Sequence, residues 1–199
     1  ILIVKELFFG FYGVIIIQEI ISALVAVLTA HLTMLIFANA TASIMAGLLV
    51  SANFASILFA STLLTCTLFT FLLLLSITCL FLSIKTGKHY YILFAGVLAG
   101  LMVLCRPVGA LLPLLMGCMF AFMSMKQGFG LRLTSYRLPI TKWAIWFTAI
   151  SYIIVLPWVA RNYVVFGAPF LSTVGEVNLL MYTAASIRST AESKPLEIV

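Results

Sequence analysis

Residues 96–117 read GVLAGLMVLCRPVGALLPLLMG. Two apolar runs meet at one charged pair, Arg106-Pro107. Proline lacks an amide donor, and the residue before it is pushed away from helical backbone. A helix is therefore expected to end at Arg106 and a second to start just beyond it. A charge at the bilayer centre costs about 2.5–3.5 kcal/mol on insertion scales. The pair is accordingly expected at a span end, where two helices turn on one face of a membrane.

The rest of the chain fits that setting. Of its 199 residues, 64% are hydrophobic and 8% charged, and mean hydropathy is +1.26. A soluble domain is nearer half apolar and a quarter charged, so that class is excluded. Spans are expected over 8–30, 42–60, 63–83, 90–105, 108–125 and 143–158. Backbone groups in lipid must bond within their own segment, which makes the spans helices. None shows the two-residue alternation of a membrane barrel strand. The expected fold is all-α, a polytopic transmembrane helical bundle of about six spans. Residues 1–199 would form part of one transmembrane domain, with 159–199 an extracytoplasmic loop segment. The first residue is Ile1 rather than Met, and further chain is expected upstream and beyond Val199.

Charge gives the topology. Eleven basic and five acidic residues leave a net charge of +6. No stripe of Lys and Arg alternates with aromatics, so nucleic acid is not an expected partner, whereas membrane lipids are. KTGKH (85–89) and the segment from Lys126 to Lys142 are basic and contain no acid. Such linkers belong in the cytoplasm. The turn at 60–66, the Arg106-Pro107 turn and everything after Pro157 then face the other side. The linker 31–41 falls inside, so the sequon Asn39-Ala40-Thr41 is read as chance.

Several residues carry two readings. Arg106 and Arg161 either snorkel at span ends or hold a phosphate by paired hydrogen bonds. Trp158 and Tyr163 fit an interfacial aromatic belt. In STVGEVNLL (172–180), Glu176 and Asn178 form either a solvated loop or the floor of a site. Gln18-Glu19 is a polar pair between helices or part of a cavity. Gly96 and Gly100 have the spacing of close helix contacts. Cys66, Cys79, Cys105 and Cys118 lack metal-ligand spacing and read as small apolar residues.

These stretches resemble bacterial glycosyltransferases of the GT-C superfamily, a group similar to protein O-mannosyltransferases and the aminoarabinose transferase of lipid A. Residues 96–117 resemble that family's "aGlllGlaaLtRPxgllllpl". LPWVARNYVVFGAPFLSTVGEVNLL (156–180) resembles its "PWxxRNyxvfGxpvxlstxgGxNl". LFFGFYGVIIIQEIISALVAVLTAHL (7–32) resembles the span that begins "lfG" and continues "iqallsal", and STLLTCTLFTFLLLL (61–75) resembles "llsEtlfxfllll". The order is kept over nearly the whole chain.

The resemblance implies a GT-C-like fold and an inverting membrane glycosyltransferase in a bacterial inner membrane. It would move a sugar from a polyprenyl-phosphate donor to a lipid, glycan or protein acceptor on the outer face. Arg106, Arg161, Asn162, Glu176 and Asn178 would bind substrate. The family's base is an Asp in an early loop. All five acids here are Glu, so the catalytic base is expected upstream of Ile1. The acidic position of "llsEt" is Cys66, and a thiol replaces a carboxylate poorly. No cofactor other than the donor is implied, and no metal is assigned. The rival expectation is a transporter or flippase for an anionic lipid-linked substrate, which would explain paired arginines equally well and would carry internal repeats.

Overall fold

The computed structural model describes residues 2–55, 65–125, 140–172 and 187. Among them are six α-helices and no strand. We label the helices α1 (Leu2–Phe37), α2 (Ala40–Ser51), α3 (Cys66–Thr86), α4 (Tyr90–Cys105), α5 (Leu112–Met125) and α6 (Ile140–Phe166). A 3-10 turn, Pro107–Gly109, lies between α4 and α5. The chain divides into two compact units, Ile1–Leu156 and Pro157–Val199.

Three helices are long and apolar enough to cross a membrane: Tyr12–Phe37, Cys66–Thr86 and Lys142–Phe166. They correspond to the expected spans 8–30, 63–83 and 143–158. The other three expected spans, 42–60, 90–105 and 108–125, correspond to shorter apolar helices. α2 has 12 residues, a rise of about 18 Å against a hydrocarbon core of about 30 Å. The expected span over 42–60 is thus cut at Ser51, where the Ala52 amide donates to the Leu48 carbonyl and the Asn53 amide to that of Val50. At the other end, α6 continues past the expected limit of 158. Pro157 lies inside it, so residues 159–166, expected in a loop, are helical.

The linker expected at 31–41 shrinks to a two-residue turn. Ala38 takes the left-handed conformation at φ 51°. Asn39 caps α2, its side-chain oxygen accepting from the Ala42 amide at 3.1 Å. Side chains with a Cβ resist φ in this range by about 1–2 kcal/mol. Ala38→Gly is therefore expected to stabilise the first unit by about 1 kcal/mol, readable as a shift in the denaturant midpoint in micelles. No gain in that midpoint counts against strain at this turn. The resulting α1–α2 hairpin is closed by Ser43, whose hydroxyl donates to the Ala30 carbonyl at 2.6 Å.

α4 is the centre of the first unit. Ile92, Ala95, Ala99, Met102 and Val103 are all fully buried on it. Antiparallel α3 packs on one side, joined through Gly87, which adopts φ 69° and donates to the Ser83 carbonyl. Ser76 of α3 donates across the seam to the Ala95 carbonyl at 2.9 Å. α6 packs on another side, over Gly96 and Gly100. A Cβ on Gly96 would lie 3.0 Å from the Phe147 carbonyl oxygen, and one on Gly100 would lie 2.7 Å from that of Ser151. The expected close contact at these glycines is what the backbone does. Other hydroxyls turn back onto their own helices: Thr78 to Leu74, Ser83 to Leu80, Thr148 to Ala144 and Ser151 to Phe147.

The two basic linkers end together. The His89 ring, at the start of α4, stacks on Trp143 of α6 with centroids 4.3 Å apart and planes 11° from parallel. Lys85, Lys88 and Lys142 are exposed around this end, as the shared side expected for both linkers requires. The opposite end of the α3–α4 hairpin carries Cys66, Cys105 and Arg106.

Candidate functional site

Each candidate arginine sits in its own unit, and each is fixed by a different local device. In the first unit, Arg106 follows α4 in an extended conformation, φ −143° and ψ 111°, and its amide closes the helix on the Met102 carbonyl. That backbone is what a following proline demands. The 3-10 turn after it is held from two sides. Phe69 of α3 lies against Gly109, where a Cβ would meet the ring at 2.8 Å. Tyr152 of α6 donates its hydroxyl to the Ala110 carbonyl at 2.9 Å. Arg106 therefore has a fixed base for a half-buried side chain.

The guanidinium finds a sulfur. Arg106 Nη1 donates to Cys66 Sγ at 3.0 Å. Beside it, the Cys105 thiol donates to the Thr65 carbonyl at 3.5 Å. Cys66 is the first residue of α3, so the contact ties the start of that helix to the break after α4. An acid there would neutralise the arginine as an ion pair. Among the described residues the thiol takes one of the five N–H bonds that a guanidinium carries.

In the second unit, the last turns of α6 grip the chain that follows. Gly167 takes φ 75° and donates to the Tyr163 carbonyl at 2.9 Å, closing the helix and turning the backbone. Trp158 and Asn162 stand one turn apart on the same face. Trp158 Nε1 donates to the Leu171 carbonyl at 3.1 Å, and Asn162 Nδ2 donates to the Phe170 carbonyl at 2.8 Å. Asn162 is 3% exposed. Its Oδ1 accepts from Arg161 Nη1 at 3.1 Å, and the Arg161 guanidinium lies 5.0 Å from the Trp158 ring centre.

This changes the reading of Asn162. Its amide is bonded to Phe170 and Arg161, and the side chain is buried. It positions the arginine and the returning strap. Asn162→Ala leaves the half-buried Phe170 carbonyl without that donor and is expected to cost about 1 kcal/mol. Asn162→Asp keeps the acceptor for Arg161 but loses the donor to Phe170, and is expected to loosen the strap as well. Limited proteolysis between 167 and 172 reads both; unchanged cleavage would remove the strap role.

Arg161 and Tyr163 are exposed, and Trp158 is 44% exposed. Glu176 and Asn178 lie outside the described residues. Glu19 is exposed on α1 and Gln18 half-buried. Among the described residues, no group of three or more His, Cys, Asp or Glu could hold a metal. The acceptors found there for the two guanidiniums are a thiol sulfur and an amide oxygen, and neither is a carboxylate. The Arg106–Cys66 contact bridges 40 residues, so no local spacing marks it. The Trp158/Asn162 clamp does have a signal, two polar-tipped residues four apart just before a glycine.

Comparison with protein-family models, with curated proteins and with solved structures finds no match.

Proposed function

We propose that this chain is the lipid-phosphate-binding portion of a multi-pass GT-C-type glycosyltransferase in a bacterial inner membrane. In this reading Arg106 of the first unit and Arg161 of the second are each a candidate ligand for the phosphate of a polyprenyl-phosphate sugar on the outer face. Glu176 and Asn178 lie toward the sugar. Asn162 acts through Arg161. The observation that carries the reading is Arg106 itself, a cation fixed at a helix break with a sulfur for its described partner. Phosphate oxygens are the acceptors a guanidinium matches by geometry. Charge on a departing phosphate is stabilised by such preset donors without any proton transfer. None of the chain's own carboxylates takes the part of general base in this reading.

The test is transfer of radiolabelled sugar from a polyprenyl phosphate by the purified full-length protein. Product formation that is lost in Arg106→Ala and Arg161→Ala supports the reading. Full activity in both variants removes the arginines from the site. Movement of intact donor across a vesicle wall, without release of sugar, would favour transport.

A further inference from the structure

We propose that Cys66 and Cys105 form a thiol–disulfide exchange pair at the arginine end of the α3–α4 hairpin. This inference does not depend on the glycosyltransferase reading. Cys66 is the first residue of α3 and Cys105 the last of α4. Both are half-buried, unlike Cys79, which is buried in the core, and Cys118, which is exposed on α5. The Cys105 thiol lies 3.5 Å from the Thr65 carbonyl, the peptide that leads directly into Cys66. One sulfur thus sits beside the backbone of the other.

Two further contacts make the pair more than a coincidence of sequence. The Ser76–Ala95 bond ties α3 to α4 at mid-length and the Cys105–Thr65 contact ties them at this end, so a bond between the two sulfurs closes little conformational freedom. Arg106 Nη1 points its N–H at the Cys66 sulfur at 3.0 Å. Partly exposed sulfurs beside a cation and at a helix start are the ones that attack disulfides in proteins. A second thiol within reach then resolves the product.

The reaction needs a small-molecule disulfide as oxidant. The Cys66 sulfur attacks one sulfur of oxidised glutathione, releasing one glutathione as its thiol and leaving a mixed disulfide on Cys66. The Cys105 sulfur attacks Cys66, and the second glutathione leaves. The chain loses two hydrogens and two electrons, and one glutathione disulfide becomes two thiols. The Cys66 sulfur then accepts less well from Arg106, and the guanidinium is released.

The experiment uses the full chain with Cys79→Ser and Cys118→Ser, incubated with oxidised glutathione in micelles. Maleimide-reactive thiols are counted after denaturation, with the intact mass. The expected result is loss of both thiols, a mass lower by two hydrogens, and no retained glutathione. Adding Cys105→Ser is expected to stop the reaction at a glutathione adduct on Cys66. Adding Cys66→Ser is expected to leave Cys105 largely unmodified. Arg106→Gln is expected to slow the first step about tenfold. A stable glutathione adduct while both cysteines are present, or two intact thiols, would overturn the proposal. Peptide mapping of the unsubstituted chain after alkylation gives the same readout should the double serine variant fold poorly.

Discussion

Gly100→Ala is expected to destabilise the first unit by about 1–3 kcal/mol, the range for overpacking a tight interior. The added Cβ would lie 2.7 Å from both the Ser151 carbonyl oxygen and the Ile154 Cβ. Neither is the end of a flexible side chain. Relief requires α4 and α6 to separate, and that seam includes the fully buried Phe147. Helix propensity acts the other way, favouring alanine by up to about 1 kcal/mol, and the clash is expected to win. Gly100→Leu should prevent the seam from forming. Gly13→Ala is the control, because nothing lies within 4 Å of a Cβ there and only the propensity gain remains. Unfolding in micelles, followed by tryptophan fluorescence, separates the outcomes. Equal effects at positions 13 and 100 would mean that α4 and α6 do not approach as described.

Arg106→Ala is expected to weaken binding of polyprenyl phosphate in lipid nanodiscs by about 10- to 100-fold. Hydrogen bonds to charged groups contribute about 1.5–3 kcal/mol, and 1.4 kcal/mol is a factor of ten. Arg106→Lys should recover part of the loss, since it restores the charge but not the paired donors. Cys66→Glu is the informative reverse. It supplies Arg106 with an ionic partner in place of the thiol and is expected to compete with the phosphate, also weakening binding. The unphosphorylated polyprenol measures the contribution of the chain alone. If polyprenol binds as tightly as its phosphate, or Arg106→Ala changes nothing, the anion site is not at Arg106.

The helical class, the close glycines of α4 and the break at Arg106-Pro107 were legible because each rests on a local rule. Apolar content required helices, the four-residue glycine spacing set a contact, and proline fixed the break. The interruption at Ser51 was not legible, since apolar residues continue through Val50 and Phe54 and hydropathy does not register a cap. Nor was the passage of α6 through Pro157. Proline removes one amide bond from a helix, but it does not oblige the chain to leave it when the turns on either side remain bonded. Arg106 was expected where a helix ends and lies at the end of α4, but its partner was not foreseen, because 40 residues separate it from Cys66. Asn162 was marked by its neighbours in a motif, whereas its burial depends on where residues 168–171 return.

The inward-turned hydroxyls of α3 and α6 bear on permeation. Ser76, Thr78, Ser83 and Ser151 are buried, yet each commits its proton to a backbone carbonyl. A proton relay or a file of water along these helices would have to break those bonds in succession, within a shell of Ile92, Val103 and Phe147 that offers nothing in return. Each of these four hydroxyls thus spends its proton on holding a helix or a seam, and a substitution that removes one frees a carbonyl in an apolar interior.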